Sequence, residues 1–161
     1  MNFDFILNGE DVAVNSNAEN RLVDILRETF GLLGTRCCCY SGMCGNCSVI
    51  FNGVVLKSCL IPALRIRNCE IITIEGFSQT DEYEDIIQGF SEAELENCGI
   101  CNTGKILATE ALLGRNQQPS KADILSAFSG IRCRCTEPEE LVNGVMAVVE
   151  LRRRRLYGRS S

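Results

Sequence analysis

The sequence predicts an α+β protein in which a strand-rich first half precedes a helical second half. Two observations favour this fold class. Short β-branched and aromatic runs dominate the first half, and two Asn-Gly pairs lie between such runs. Farther along, after a run of acidic residues within 78–97, the apolar residues recur at helical spacing. We therefore expect two domains, comprising residues 1–77 and residues 82–161.

The first half is expected to form a small mixed sheet packed on one helix. Phe3, Phe5 and Leu7 fall on one face of a strand, because alternate residues of a strand share a face. Asn-Gly between two such runs is a strong hairpin signal, since a tight hairpin turn needs positive φ at both positions. The expected elements are two strands joined at Asn8-Gly9, a helix within residues 20–31 that stops at Gly31, two strands joined at Asn52-Gly53, and a last strand over residues 70–77.

The second half is expected to contain about four short helices. Ser120 with Asp123 resembles a capping box that opens one helix, and Thr136 with Glu139 resembles a second box before a long helix through Val149. An apolar stripe predicts another helix; its members are Ile100, Ile106, Leu107, Ala111 and Leu112, and Gly114 closes it. The end of the chain, LRRRRLYGRSS, carries five arginines. We interpret it as a solvated helix end or, alternatively, as a docking site for an acidic partner surface.

The composition excludes several classes of function. The chain has no histidine, which excludes Ser-His-Asp catalysis, His-ligated zinc, Rieske centres and haem attachment through Cys-x-x-Cys-His. A net charge of −5 gives no argument for nucleic acid or an anionic membrane as a partner. The start, MNFDFILNGE, does not resemble a signal peptide, and no apolar stretch reaches membrane-spanning length. We expect a cytoplasmic protein, where closely spaced cysteines indicate metal or redox chemistry.

Eleven cysteines are present, and the first group has the spacing of a plant-type [2Fe–2S] site. Cys39-x4-Cys44-x2-Cys47 is followed, after eleven residues, by Cys59. Each iron of such a cluster takes two thiolates, so the loop has to fold around the cluster with little side-chain bulk, and the loop contains two glycines. A structural zinc site with four cysteine ligands is the alternative for this spacing.

The second group is Cys98-x2-Cys101 followed by Cys133-x-Cys135. Residues three apart on a helix share a face, so the first pair can point at one centre. Arg132 and Arg134 flank the second pair, and their charge would partly offset that of an anionic cluster. A second iron–sulfur centre is favoured over zinc because a plant-type motif precedes it. The remaining cysteines, Cys37, Cys38 and Cys69, are expected to be bystander thiols.

These constellations, in this order, resemble the small iron–sulfur subunit of the xanthine dehydrogenase family of molybdenum hydroxylases. The resemblance extends over nearly the whole chain and includes LNGEDV, LVDILRETFGLLGTR, CSVIFNGVVLKSCL, ITIEGF, ENCGIC and LSAFSGIRCRCT. It implies a β-grasp, ferredoxin-like N-terminal domain and a C-terminal four-helix bundle domain, each with one [2Fe–2S] cluster. It also implies a hetero-oligomer, in which electrons leave a molybdopterin centre on a large subunit, pass both clusters, and reach FAD on another subunit.

The resemblance assigns roles at the helical-domain site, and the sequence departs from the family pattern there. Cys135 would lie nearest the pterin, and Asn97 occupies the position of a glutamine that usually bonds the pterin. The other departures are Asn102-Thr103-Gly104 in place of Thr-Pro-Gly, Glu137-Pro138 in place of Gly-Tyr, and Cys38 in place of a glycine. They indicate a divergent member of the family.

Two other functions are compatible with the residues alone. A non-enzymatic binding module with two structural four-cysteine zinc sites would use the same eight cysteines. Thiol–disulfide exchange through Cys98-x-x-Cys101 would use only one pair, and the sequence around that pair lacks a thioredoxin context. The chain has neither a nucleotide-binding glycine motif nor an evident nucleophile–base pair.

Overall fold

The computed structural model describes residues 1–95 and 99–158, and the chain begins with a five-stranded mixed sheet. The strands are β1 (Asn2–Leu7), β2 (Glu10–Asn15), β3 (Ser48–Phe51), β4 (Val54–Lys57) and β5 (Glu70–Ile72). They are ordered β2-β1-β5-β3-β4. Only β1 and β5 pair in parallel; β1–β2, β3–β4 and β3–β5 are antiparallel.

Both hairpins turn at the expected Asn-Gly pairs. Asn8 and Gly9 have φ values of 52° and 86°, and Asn52 and Gly53 have 48° and 81°. Positive φ at both central residues is what a turn compatible with the strand twist requires. These turns set the register, in which Phe3 pairs with Val14 and Val49 with Leu56.

The helix expected within residues 20–31 is present and packs against the sheet. Helix α1 (Leu22–Asp24) continues as one π-helical turn (Ile25–Thr29), and Gly31 follows at a φ of 67°. The side chains buried between the helix and the sheet include Phe3, Phe5, Leu22, Leu26, Val49 and Ile71. Residues 58–60 and 63–65 form short 3-10 turns between β4 and β5.

The strand expected over residues 70–77 is shorter than predicted. It ends at Ile72, and Ile74–Phe77 form a short helix, α2. The Asn8 side chain provides the reason: its Oδ1 accepts the Thr73 N–H at 2.8 Å and its Nδ2 donates to Thr73 Oγ1 at 3.0 Å. Thr73 is thereby held at the end of the sheet, and Phe77 is buried in the core of the helical half. Tertiary contacts override the β-propensity of Thr73 and Ile74.

Among the described residues of the second half there are four further helices, in line with the sequence prediction. They are α3 (Asp81–Glu92), α4 (Asn102–Arg115), α5 (Lys121–Ala127) and α6 (Pro138–Gly158). Their shared core includes Ile86, Phe90, Leu107, Ile124, Val145 and Val148. Ser120 and Asp123 form the expected capping box at the start of α5. Within the described ranges, no helix combines the length and apolar character needed to cross a membrane.

Two expectations about these helices are wrong. Ile100 precedes α4 and is 53% exposed, so it is not part of the apolar stripe. The capping interaction of α6 lies one residue later than expected, because the Glu140 carboxylate accepts the Glu137 N–H at 2.8 Å. The Thr136 hydroxyl accepts a hydrogen bond from the buried Lys105 ammonium at 2.9 Å. Lys105, which is distant in sequence, therefore binds the Thr136 hydroxyl that the sequence pattern assigned to the cap of α6.

Helix α6 extends well beyond Val149, and its arginines are not all solvated. Arg152 pairs with Glu110 at 2.7 Å, and Arg155 pairs with Asp81 at 2.6 Å and with Asp85 at 2.7 Å. Acidic residues that follow the sheet thus form ion pairs with the basic end of α6. Arg153 and Arg154 are more exposed and pair with Glu150 on their own helix.

The close approach of α3 and α6 leads to a first prediction. A Cβ on Gly89 would lie 2.7 Å from the backbone nitrogen of Val148, whereas a Cβ on Gly114, also helical, would meet nothing within 4 Å. Gly89→Ala should lower the free energy of unfolding by about 1–3 kcal/mol through overpacking. Gly114→Ala should leave it unchanged or raise it by up to about 1 kcal/mol.

Urea denaturation of both variants beside the parent protein measures the difference. If Gly89→Ala were as stable as Gly114→Ala, the described α3–α6 contact would be wrong.

Candidate metal centres

The loop that follows the first helix gathers backbone N–H groups around the Cys39 sulfur. The amides of Ser41, Met43 and Cys44 donate to Cys39 Sγ at 3.4, 3.3 and 3.4 Å. These bonds, that of Ser41 first, lower the pKa of Cys39 from 9.0 to about 5. Hydrogen bonds to the charged form stabilise it, so the loop favours a thiolate at this position.

The four cysteines of the first group are arranged as two pairs. Besides burial, the neighbouring Cys39 thiol raises the pKa of Cys44, and the neighbouring Cys47 thiol raises the pKa of Cys59. Burial is the main cause that raises the pKa of Cys44 and of Cys59. The β3–β4 hairpin explains the second pair: Ser48 pairs with Lys57, and the Ser58 N–H donates to the Cys47 carbonyl at 3.1 Å.

Two kinds of metal centre take four cysteine ligands and differ in how the sulfurs are arranged. A zinc site needs four sulfurs around one point, whereas each iron of a [2Fe–2S] cluster takes two thiolates. In the part of the chain that the structure describes, no group of three or more His, Cys, Asp or Glu side chains could hold one metal ion.

Two glycines allow the loop to close. Gly42 and Gly45 have φ values of 74° and 77°. A Cβ on Gly42 would lie 2.5 Å from the Leu60 side chain, and one on Gly45 would lie 2.8 Å from the Gly130 carbonyl oxygen. Only glycine satisfies both the backbone conformation and the close approach at these positions.

Tyr40 anchors the same loop and was not singled out by the sequence. It has a φ of 55°, unusual for a residue with a side chain. Its hydroxyl donates to Asp24, and that bond is the main cause that raises its pKa. Arg21 donates to the Tyr40 carbonyl oxygen, and its guanidinium lies 5.0 Å from the ring centroid. These contacts fasten the residue after Cys39 to the first helix.

The second group is partly described. Cys98 and Asn97 lie outside the described residues, and so does the proposed pterin contact of Asn97. Cys101 is the N-cap of α4 and precedes its first turn, so the expectation that it lies within a helix is wrong. Its thiol lies 3.4 Å from the Arg132 carbonyl oxygen and is among the groups that lower the pKa of Cys133. Cys135 is exposed in the loop between α5 and α6.

Lys105 is the second residue that sequence reasoning missed. It lies one turn after Cys101, has no exposed surface, and donates through Nζ to Thr136 Oγ1. Burial raises the pKa of Cys133, but the Cys135 N–H, the Thr136 hydroxyl and the Lys105 charge outweigh it, and the net shift is downward. A lysine inside an otherwise apolar helical stripe was the available signal.

The two cysteine loops touch each other. The Arg132 N–H donates to the Cys44 carbonyl oxygen at 3.0 Å. Beside this bond, a Cβ on Gly104 would lie 2.9 Å from the Gly45 carbonyl oxygen, so the first turn of α4 packs directly on the first loop. The Thr103 hydroxyl adds a bond to the Gly34 carbonyl oxygen at 2.7 Å. The loop of the first candidate centre is therefore in direct contact with residues next to the cysteines of the second.

The three cysteines expected to be bystanders, Cys37, Cys38 and Cys69, differ in their surroundings. The Asn46 amide donates to Cys38 Sγ at 3.8 Å, and the Cys69 thiol lies 3.2 Å from the Arg65 carbonyl oxygen. Cys37 packs beside the Cys47–Cys59 pair, and burial raises its pKa. The choice of Cys39 over its neighbours rests on the three amides that point at its sulfur.

The sheet, the four-helix half and the two groups of cysteines are those expected of a two-centre iron–sulfur protein, and known proteins of that class are similar to this chain. Residues 73–146 match the [2Fe-2S] binding domain family. The nicotinate dehydrogenase small FeS subunit of Eubacterium barkeri is 41% identical over 130 residues, which are 81% of this chain and 83% of that protein. The nicotine 6-hydroxylase small subunit of Paenarthrobacter nicotinovorans is 31% identical over 89% of this chain and 86% of that protein. The chain belongs to the small iron–sulfur subunits of the xanthine dehydrogenase family of molybdenum hydroxylases.

Solved structures show the same fold. A chain of quinoline 2-oxidoreductase from Pseudomonas putida 86 superimposes with a TM-score of 0.86 at 32% identity, covering 95% of this chain and 96% of that one. Aldehyde oxidoreductase from Desulfovibrio gigas gives 0.83 at 30% identity, covering 96% of this chain but 17% of that one. The α+β fold expected from the sequence is confirmed.

The amides around Cys39 lead to a second prediction. In metal-free, reduced protein at pH 6–7, Cys39 should be alkylated by iodoacetamide faster than Cys44. Both are half-buried, but the pKa of Cys39 is lowered to about 5 and that of Cys44 is raised, and only a thiolate reacts. Mass spectrometry of peptides after short labelling pulses measures both rates.

Unfolding in urea supplies the control. It removes the hydrogen bonds from the backbone amides to the Cys39 sulfur, so the alkylation rates of Cys39 and Cys44 should become similar. Equal rates in the folded protein would contradict the described loop.

Proposed function

We propose that this chain is the electron-transfer subunit of a molybdopterin-dependent hydroxylase or dehydrogenase. The observation that carries the proposal is the contact between the two cysteine loops through the Arg132–Cys44 hydrogen bond. A protein with two independent structural metal sites has no need for this contact, whereas a relay requires its two carriers to be close. The small FeS subunits among the relatives support the same role.

The first cluster is assigned to Cys39, Cys44, Cys47 and Cys59. Cys39 and Cys44 are assigned to one iron and Cys47 and Cys59 to the other, which the mutual influence of these thiols on their pKa values supports. The second cluster is assigned to Cys98, Cys101, Cys133 and Cys135. The Cys101–Cys133 contact supports two of these ligands, and the sequence spacing supports the others.

The chain's own residues then provide a short covalent and hydrogen-bonded route between the two sites. It runs from the Cys44 side chain to its carbonyl oxygen, across the bond to the Arg132 N–H, and along one peptide unit to Cys133. When bound, each cluster carries one electron at a time. The loops contribute fixed distances, amide donors to sulfur and exclusion of water from the buried Cys47 and Cys59.

Partner assignments follow the family. We propose a hetero-oligomer in the cytoplasm, in which this chain joins two other subunits, a large one that binds molybdopterin and one that binds FAD. Asn97 and Cys135 are assigned to the face that meets the pterin, and the exposure of Cys135 in its loop supports this orientation. The domains are assigned as residues 1–77 and 82–161, in agreement with the two main hydrophobic cores, although Phe77 packs in the second of them.

A third prediction tests the ligand assignment. Cys39→Ser should lower the iron content from about four atoms per chain to about two and remove one of two [2Fe–2S] electron paramagnetic resonance (EPR) signals after partial reduction. Cys38→Gly, the matched control in the same loop, should keep both signals, because no described amide cluster points at that sulfur. Loss of the signal in Cys38→Gly with retention in Cys39→Ser would shift the ligand register by one residue.

Anaerobic affinity purification followed by metal analysis tests the function itself. We expect iron in the bait and molybdenum in the large subunit that co-purifies with it. Colourless protein with two zinc ions per chain and no EPR signal would replace the relay with the zinc-binding module.

A further inference from the structure

Lys105 is a buried cation beside the second candidate centre. Its side chain is 0% exposed, and its Nζ donates to Thr136 Oγ1 at 2.9 Å. Thr136 is the residue after Cys135, and its hydroxyl also lies 3.7 Å from Cys133 Sγ. The Lys105 carbonyl oxygen accepts the Thr109 hydroxyl at 2.8 Å, which adds to the fixed geometry of this turn of α4. The ammonium is thus held between α4 and the loop that carries Cys133 and Cys135.

A charge in this position acts strongly on its surroundings. Lysine is almost never fully buried, because removing an ammonium from water is costly. Interactions in a protein interior are screened far less than those at the surface. The exposed Arg132 and Arg134 lie in the same loop, but solvent and salt weaken their influence. Lys105 is therefore the cation with the greatest leverage on this site among the described residues.

We propose that Lys105 raises the reduction potential of the second cluster. This inference rests on the proposed function, since it requires a [2Fe–2S] cluster at Cys98, Cys101, Cys133 and Cys135. Reduction adds one electron and hence one negative charge, with no bond made or broken. A fixed positive charge nearby stabilises the reduced form more than the oxidised form. The centre that receives the electron therefore holds it more firmly, which favours transfer from the donor subunit.

The experiment compares charge-removing and charge-retaining variants of the assembled complex. Lys105→Met removes the charge at similar length, Lys105→Gln removes it but keeps a hydrogen-bond donor, and Lys105→Arg retains it. Lys121→Met is the control, since Lys121 is exposed and pairs with Glu139. EPR-monitored redox titration gives the midpoint potential of each cluster separately, independently of turnover.

In Lys105→Met and Lys105→Gln, the ratio of reduced to oxidised second cluster at a fixed applied potential should fall at least tenfold, equivalent to about 59 mV for a one-electron couple. The first cluster should be much less affected. Lys105→Arg should restore most of the potential, and Lys121→Met should match the parent protein. A merely structural role would not distinguish Lys105→Gln from Lys105→Arg by potential.

Three outcomes would overturn the inference. Unchanged potentials in both neutral variants would show that the charge does not act on the cluster. A fall of the same size in Lys105→Arg would assign the effect to altered packing. Loss of the second signal in both neutral variants, with retention in Lys105→Arg, would assign Lys105 to cluster assembly instead. Absence of both signals from the parent complex would instead defeat the proposed function, so the two failures are distinguishable.

Discussion

The backbone hydrogen bond between Arg132 and Cys44 is the constraint on which the arrangement of the two halves depends. It requires the loop of the sheet half and the loop before α6 to approach within 3.0 Å. That approach leaves no room for a side chain at Gly45 or Gly104, and the Thr103–Gly34 bond reinforces it. The positions of α4 and of the first loop are consequently coupled, and a shift in either would separate the two candidate centres.

The two centres are stabilised by different electrostatic means. Around Cys39, three backbone amides provide partial positive charge without any ionised side chain. Around Cys133, a buried ammonium contributes alongside an amide and a hydroxyl. The stabilisation that backbone amides give to a thiolate depends on the conformation of the loop. The stabilisation given by a side-chain cation depends on the identity of a single residue. The second centre can therefore be tuned by substitution at one position, while the first is defined by the path of the backbone.

Several local signals in the sequence are confirmed, and long-range contacts account for two of the errors. The Asn-Gly turns and the Ser120 capping box depend on adjacent residues, and all are present. The strand over residues 70–77 was predicted too long because the Asn8 side chain, distant in sequence, ends it. The Thr136 cap failed because its hydroxyl meets Lys105. The cysteine spacing indicates a first site because the order of the ligands is local, but neither Tyr40 nor Lys105 has a motif of its own.

The junction between α3 and α6 has a consequence for biosynthesis. Arg155 at the end of the chain pairs with Asp81 and Asp85 at the start of the helical half, and Gly89 packs on Val148. The core of that half is therefore incomplete until α6 has left the ribosome, whereas all strands of the sheet emerge earlier. The loop of Cys133 and Cys135 gains its final support only after α6 has emerged. Maturation of the protein should thus proceed from the first centre to the second, opposite to the direction of electron flow proposed for the assembled complex.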